Sequence, residues 1–291
     1  MASAELRQIR RRIRSVQSTM KITRAMELIA ASRIVKAQAR VAANQSYARA
    51  MSEVIRNVAA ASTGASHPLL DRREVETVGV VAVTSDRGLA GGYNTNIIRM
   101  AEARLIELER SGTDYRLYVI GKKAQSYFRY RGYRIERAFL AVTDTPGYGD
   151  ARAVANVLLN EYAEGSIDSV EVVTTRFLSA LTQQPVTISL LPITPPERAE
   201  DAPPVAYTFE PDAGAILGRL LPRYVEGSVF GILLDASASE HAARRRAMKA
   251  ATENADELTR VLTRQANQAR QSEITTEISE IVGGAEALTH G

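Results

Sequence analysis

Cysteine and tryptophan are absent from this chain of 291 residues, and aromatic residues make up only 5% of it. Without cysteine there can be no disulfide, thiolate nucleophile, iron–sulfur cluster or cysteine-based zinc site, a composition that suits a reducing compartment. The three histidines, His67, His241 and His290, are scattered and form no metal-ligand spacing. They are expected to be ordinary exposed side chains. No apolar run approaches the roughly 18 residues needed to span a membrane. The start, Met1 to Arg7, leads into charge rather than into an apolar signal core. The expectation is a soluble protein whose structure begins near the first residues.

Glycine and proline are also missing before Gly64 and Pro68. A helix through such a stretch would be on the order of 90 Å long at 1.5 Å per residue. Steps of four and three from Ile9 land on Ile9, Ile13, Val16, Met20, Thr23, Glu27, Ala30, Ile34, Ala37, Val41, Asn44, Ala48, Met51, Ile55 and Val58. Only Thr23, Glu27 and Asn44 are polar, so the pattern predicts a coiled-coil seam. The C-terminal region mirrors it: between Gly231 and Gly283 there is neither glycine nor proline. Ile274, Ile278, Ile281, Ala285 and Leu288 keep the same rhythm, and Leu258, Leu262, Gln265, Ala269 and Ser272 keep it on a shifted phase. The two terminal helices are expected to pair antiparallel.

Between them the texture changes. Thr77–Thr84, Tyr115–Ile120, Ser169–Phe177 and Val186–Ile193 are short, β-branched and bounded by turn residues, which predicts strands. Helices are expected over Asn96–Arg110, Lys122–Arg131 and Ala151–Glu164. Such alternation implies an α/β fold built on an open, Rossmann-like sheet. Pro192, Pro195, Pro196, Pro203, Pro204 and Pro211 mark a connector, and Ala213–Ala236 reads either as a buried strand at 229–234 or as a helix beginning at Pro222. The expected division is a coiled-coil helix over 1–63, the α/β domain with its connector over 64–211, and a helical segment over 212–291.

Charge is uneven. Residues 2–63 hold ten arginines and two lysines against Glu5, Glu27 and Glu53, a net +9 in a chain of net +4. The cluster Arg10, Arg11, Arg12 and Arg14 suits a solvated face, an acidic protein partner or nucleic acid, although no aromatic before Tyr47 could stack on bases. The loop Thr84–Asn94, TSDRGLAGGYN, follows a strand as phosphate-binding loops do. It lacks both the Gly-Lys-Ser/Thr ending of a P-loop and a G-x-G-x-x-G spacing. It is therefore expected to be a tight turn with Asn94 or Thr95 capping the next helix. No catalytic constellation, cofactor site or metal site is expected.

Three stretches carry a family resemblance: Lys21–Ser32 (KITRAMELIAAS), Ser85–Asn94 (SDRGLAGGYN), and the C-terminal Ala247–Thr252 (AMKAAT) with Ala269–Glu277 (ARQSEITTE). Together, in this order, they resemble the γ subunit of F-type ATP synthases. The resemblance implies a non-catalytic central stalk on the cytoplasmic face of a bacterial cell membrane. It also implies three α and three β subunits around the shaft, an ε subunit and a membrane c-ring as partners, with no nucleic acid and no membrane span of its own. Met26, Arg87, Arg244, Gln271 and Thr275 match positions that meet β subunits, and the apolar tip Ile274–Leu288 resembles the end that turns inside the ring. Arg87 and Arg244 are expected to be exposed charges. Ala90 stands where many relatives have cysteine, and no cysteine pair is present for thiol regulation. A free basic coiled-coil protein that binds nucleic acid or acts as a scaffold is the competing reading.

Overall fold

The structure, a computed structural model, describes residues 4–61, 67–194 and 213–289, with the side chains of all but 59–61, 213 and 286–289. The connector prolines Pro195, Pro196, Pro203, Pro204 and Pro211 lie outside the described residues, as does His290. The chain divides into two compact units, Ala31–Arg244 and the pair of segments Met1–Ala30 and Arg245–Gly291.

Helix α1 runs over Ala4–Ala61 without a break. Every position of its predicted seam is buried or half-buried, from Ile9 to Val58. In the unit formed by the two terminal segments, α1 lies antiparallel to the end of helix α5 (Ala213–Thr289). The hydroxyls of Thr23 and Thr252 are 2.8 Å apart, and Glu5, Ile9 and Arg12 line one groove with Leu262, Ala269 and Thr276. The seam of α5 differs from expectation. It follows Met248, Thr252, Ala255, Thr259, Leu262, Ala266, Ala269 and Glu273, all buried or half-buried, while Leu258, Gln265 and Ser272 are exposed. Met248 and Leu262 share this phase with small alanines and threonines, which let two backbones approach closely, and Leu258 lies outside it. Ile274, Ile278 and Ile281 consequently fall off the seam, and Ile281 is 71% exposed.

The other unit is built on a five-stranded sheet of order β3-β2-β1-β4-β5. Its strands are β1 (Thr77–Val83), β2 (Asp114–Ile120), β3 (Ile135–Phe139), β4 (Ser169–Phe177) and β5 (Gln183–Leu191). The first four are parallel and β5 is antiparallel at the edge. Strand β3 was not anticipated. It is a short edge strand whose Glu136 and Arg137 break any apolar alternation.

Period-two alternation divides each inner strand between two cores. Val78, Val80 and Ala82 pack with helices α2 (Tyr93–Ser111) and α3 (Lys122–Tyr130), through Ile97, Leu105 and Phe128. Val81, Val83, Tyr118 and Ile120 pack on the other face with helix α4 (Tyr148–Ala163), with Ile55 and Val58 of α1, and with α5.

Helix α5 decides between the two readings of 213–236 in favour of a helix and moves its start. It starts at Ala213, so Pro222 lies within it, and residues 229–234 are helical rather than a strand. Leu217, Leu221, Val225, Val229, Ile232 and Leu233 form one buried stripe against the sheet. Tertiary burial thus overrides the local cost of Pro222. Gly227 and Gly231 mark close approach to α1: a Cβ on Gly231 would lie 3.0 Å from Asn44 Nδ2. Among the described residues, no helix is long and apolar enough to cross a membrane.

Candidate coupling site

At the carboxyl ends of the strands, the loop Thr84–Gly92 is a folded element held from within. Asn94 does not cap α2, whose N-cap is Gly92 without a side-chain bond. Its Oδ1 instead accepts from the Ser85 amide at 2.9 Å and the Ser85 hydroxyl at 3.0 Å. Asp86 gathers the neighbouring segments. Its carboxylate accepts from the Lys122 amide at the start of α3, from the Ala141 amide, and from the Thr143 amide and hydroxyl. Thr84 accepts from the Ala124 amide, and Lys123 donates its amide to the Ser85 carbonyl. The amides of Ser85 and Asp86, at the start of the loop, are thus engaged within the fold, by Asn94 and by the Thr143 hydroxyl.

Leu89 at the loop tip has φ of 63° and is 63% exposed. An L residue in the left-handed region costs about 1 kcal/mol. An apolar side chain is therefore held outward at an energetic cost.

Behind the tip lies a network of charged groups. Arg244 is buried, 7% exposed, which corrects the expectation of an exposed charge. It binds Glu240 Oε1 at 2.6 Å and donates to the Gly88 carbonyl at 3.2 Å. Asp144, in the loop between β3 and α4, binds Arg33 of α1 at 2.5 Å and faces Arg87 at 3.8 Å. The Asp144 carbonyl accepts from the Ser237 hydroxyl at 3.1 Å and from His241 Nε2 at 3.2 Å. About two turns further along the same face of α1, Arg40 donates to the Pro146 carbonyl. His241 is thus buried and bonded rather than exposed.

Burial sets the protonation of these groups. It holds His241 below its ordinary pKa and so neutral, with Nε2 carrying the proton and Nδ1 facing Arg244 at 3.5 Å. Burial also pushes the Glu240 carboxyl up, against the opposing pull of Arg244. The Tyr93 phenol is raised by burial first and by Glu240 second. Donor atoms of Asp144, Glu240 and His241 lie within 4.8 Å of one another. The three guanidiniums of Arg33, Arg87 and Arg244 already answer the local carboxylates, and both ring nitrogens of His241 are engaged. The chemistry is that of an ion-pair knot rather than of a cation site.

The remaining sequence-derived positions are separate from this knot. Met26 is half-buried beside the seam, and Gln271 and Thr275 are exposed on α5, where the Thr275 hydroxyl donates to the Gln271 carbonyl at 3.0 Å. Arg10, Arg11, Arg12 and Arg14 are all exposed. The knot itself escaped the sequence reading, because Arg33, Asp144, Glu240 and His241 are brought together from distant positions. The pairing of Glu240 with Arg244 at an i,i+4 spacing was the one local signal.

The match to known proteins runs along this whole scaffold. A family model described as ATP synthase matches residues 5–288. The chain is 49% identical to the ATP synthase gamma chain of Parafrankia sp. and 50% identical to that of Frankia casuarinae, covering 99% of both chains in each case. This chain belongs to the ATP synthase γ chain family. Solved structures agree on the γ chain fold. A chain of the Euglena gracilis mitochondrial ATP synthase superposes with a TM-score of 0.69 at 17% identity, over 98% of this chain and 94% of that one. A chain from the Tetrahymena thermophila mitochondrial ATP synthase central stalk and c-ring gives 0.60 at 23% identity, over 79% and 99%.

Proposed function

We propose that this γ chain is the rotating central stalk of a membrane-associated F-type ATP synthase, carrying no catalytic group itself and transmitting rotation to catalytic sites on other subunits. The full-length likeness to γ chains carries this reading. It is supported by the architecture, in which the two terminal segments form an antiparallel helix pair and the α/β unit includes the remaining parts of α1 and α5.

A shaft that changes its contacts with each of several surrounding sites shifts their nucleotide affinities by differential contact energy, which is allosteric coupling. The surrounding ring would be three α and three β subunits, with ε and the membrane c-ring at the rotor end, on the cytoplasmic face of the membrane. Met26, Arg87, Gln271 and Thr275 offer half-buried or exposed surface for contact with β. The exposed isoleucine line of α5 suits an apolar collar. The exposed arginines near the start of α1 suit acidic protein surfaces, which give orientation and speed of association.

Co-expression with α and β subunits tests the reading. The expected result is a complex with ATPase activity, while the chain alone has none. A stable chain that ignores α and β, or that holds DNA at high salt, would overturn it.

A further inference from the structure

Where α1 and α5 adjoin the sheet near the glycine loop, Ala37 and Val41 of α1 meet Leu234 and Ala238 of α5, with Phe177 and Phe230 packed against them. Apolar side chains make non-directional contacts that resist separation better than they resist rotation. Directional bonds are needed to fix an angle. The polar knot supplies them in a closed circuit. Arg244 of α5 holds Gly88, the loop beyond Gly88 carries Arg87 to Asp144, Asp144 is held by Arg33 of α1, and its carbonyl returns to α5 through Ser237 and His241.

Burying Glu240, at 1% exposure and with Oε2 lacking a hydrogen-bond partner, is an expensive way to gain stability. A well-packed apolar replacement would commonly serve stability as well or better. The retained charge speaks for geometry.

We infer that Glu240, Arg244, Asp144 and Arg33 form a rotational lock, positioning residues that fix the angle of both long helices against the sheet so that torque passes without slip. The inference rests on the stalk reading above. Glu240 acts by orienting Arg244 toward Gly88, and Arg33 acts by anchoring Asp144 to α1. Removing either arm opens the circuit and lets the helices turn against the sheet under load, while the apolar cores keep the unit folded.

The test uses the complete ATP synthase in inverted membrane vesicles, reading ATP hydrolysis, ATP-driven proton pumping and thermal unfolding. Glu240→Gln and, separately, Arg33→Gln are expected to lower pumping per ATP hydrolysed by roughly fivefold, the low end of coupling between sites, with hydrolysis and melting close to native. Arg33→Lys, which keeps the charge on α1, should recover most of the ratio. The lock is overturned if assembled variants pump at the native ratio, or if pumping falls only in step with hydrolysis and melting. If Glu240→Gln fails to assemble, the more exposed Arg33 pair of variants decides alone. Failure of the native chain to assemble with α and β would instead overturn the stalk reading.

Discussion

Thr23 and Thr252 meet across the helix pair, oxygen to oxygen at 2.8 Å; with one proton each, one hydroxyl donates across the pair while the other donates to a carbonyl of its own helix, Met20 at 3.0 Å for Thr23 or Met248 at 2.9 Å for Thr252. The pair puts directional bonding into a seam made mostly of apolar side chains. Thr252→Val should cost about 1 kcal/mol, because it leaves the Thr23 hydroxyl without its cross-helix partner. The double replacement with Thr23→Val should be closer to native than the sum of the single changes. Denaturant unfolding of the full chain in a double-mutant cycle reads the difference.

Arg87 and Arg244 look alike as sequence and differ as structure. Arg87→Glu changes an exposed side chain whose ion pair with Asp144 is 3.8 Å long, and stability should move by no more than about 0.5 kcal/mol. Arg244→Glu puts a second carboxylate beside buried Glu240, and a loss of about 3–5 kcal/mol is expected. Melting temperatures and soluble yield of the two variants separate them. Equal melting would show that the buried pair contributes nothing to the fold.

Asp235 offers a pH dependence with a defined sign. Burial raises its carboxyl to about 6, despite the opposing effects of Arg176 and of the Phe177 amide. A carboxyl raised in the folded state is penalised wherever it must ionise, so stability rises as pH falls through about 6 and levels off near the unfolded value of 3.8. Asp235→Asn keeps the acceptor for Phe177 and should stabilise the chain above pH 7 by about 1–2 kcal/mol, discounted from the full shift because the group keeps some contact with water. Buried His241 acts in the opposite sense. Its lowered pKa gives stability that is complete above 6.5 and is lost as pH falls below it. Melting curves across pH 5 to 8 should flatten on the alkaline side of 6 only in the Asp235 variant.

Gly121 leaves no room for any other residue. Its φ is 93°, and an added Cβ would stand 2.3 Å from the Thr84 carbonyl oxygen. Gly121→Ala should cost about 3 kcal/mol or more, through backbone strain and displacement of the loop that begins at Thr84. A circular-dichroism melt of the variant within a few degrees of native would refute the close approach.

Much of this scaffold is legible from the sequence, and the parts that were missed share a cause. The α1 seam was readable because one helix buries one continuous face, β1, β2 and β4 because buried parallel strands are rich in apolar β-branched residues, and β5 because Val186, Thr187 and Ile188 are β-branched. The start of α5 was not, since Pro222 and the apolar run 229–234 state a local preference that burial of Leu217, Leu221 and Val225 overrules. Leu258 misled for a related reason: the larger side chain marked an outer face while Ala255 and Ala266 marked the inner one. The lock was invisible because Arg33 and Asp144 are 111 positions apart in sequence. Only the i,i+4 spacing of Glu240 and Arg244 gave a local hint of it.

The alanine and threonine seam also bears on the order of assembly. A buried alanine removes far less apolar surface from water than a buried leucine, so the helix pair gains little from closing on itself, and its isoleucines at 274, 278 and 281 gain nothing from it. The α/β unit, with Phe128, Leu158, Tyr162 and Ile167 fully enclosed, has the larger independent drive to fold. The α/β unit is therefore expected to fold by itself, while the helix pair, with isoleucines left outside its seam, depends more on whatever covers them.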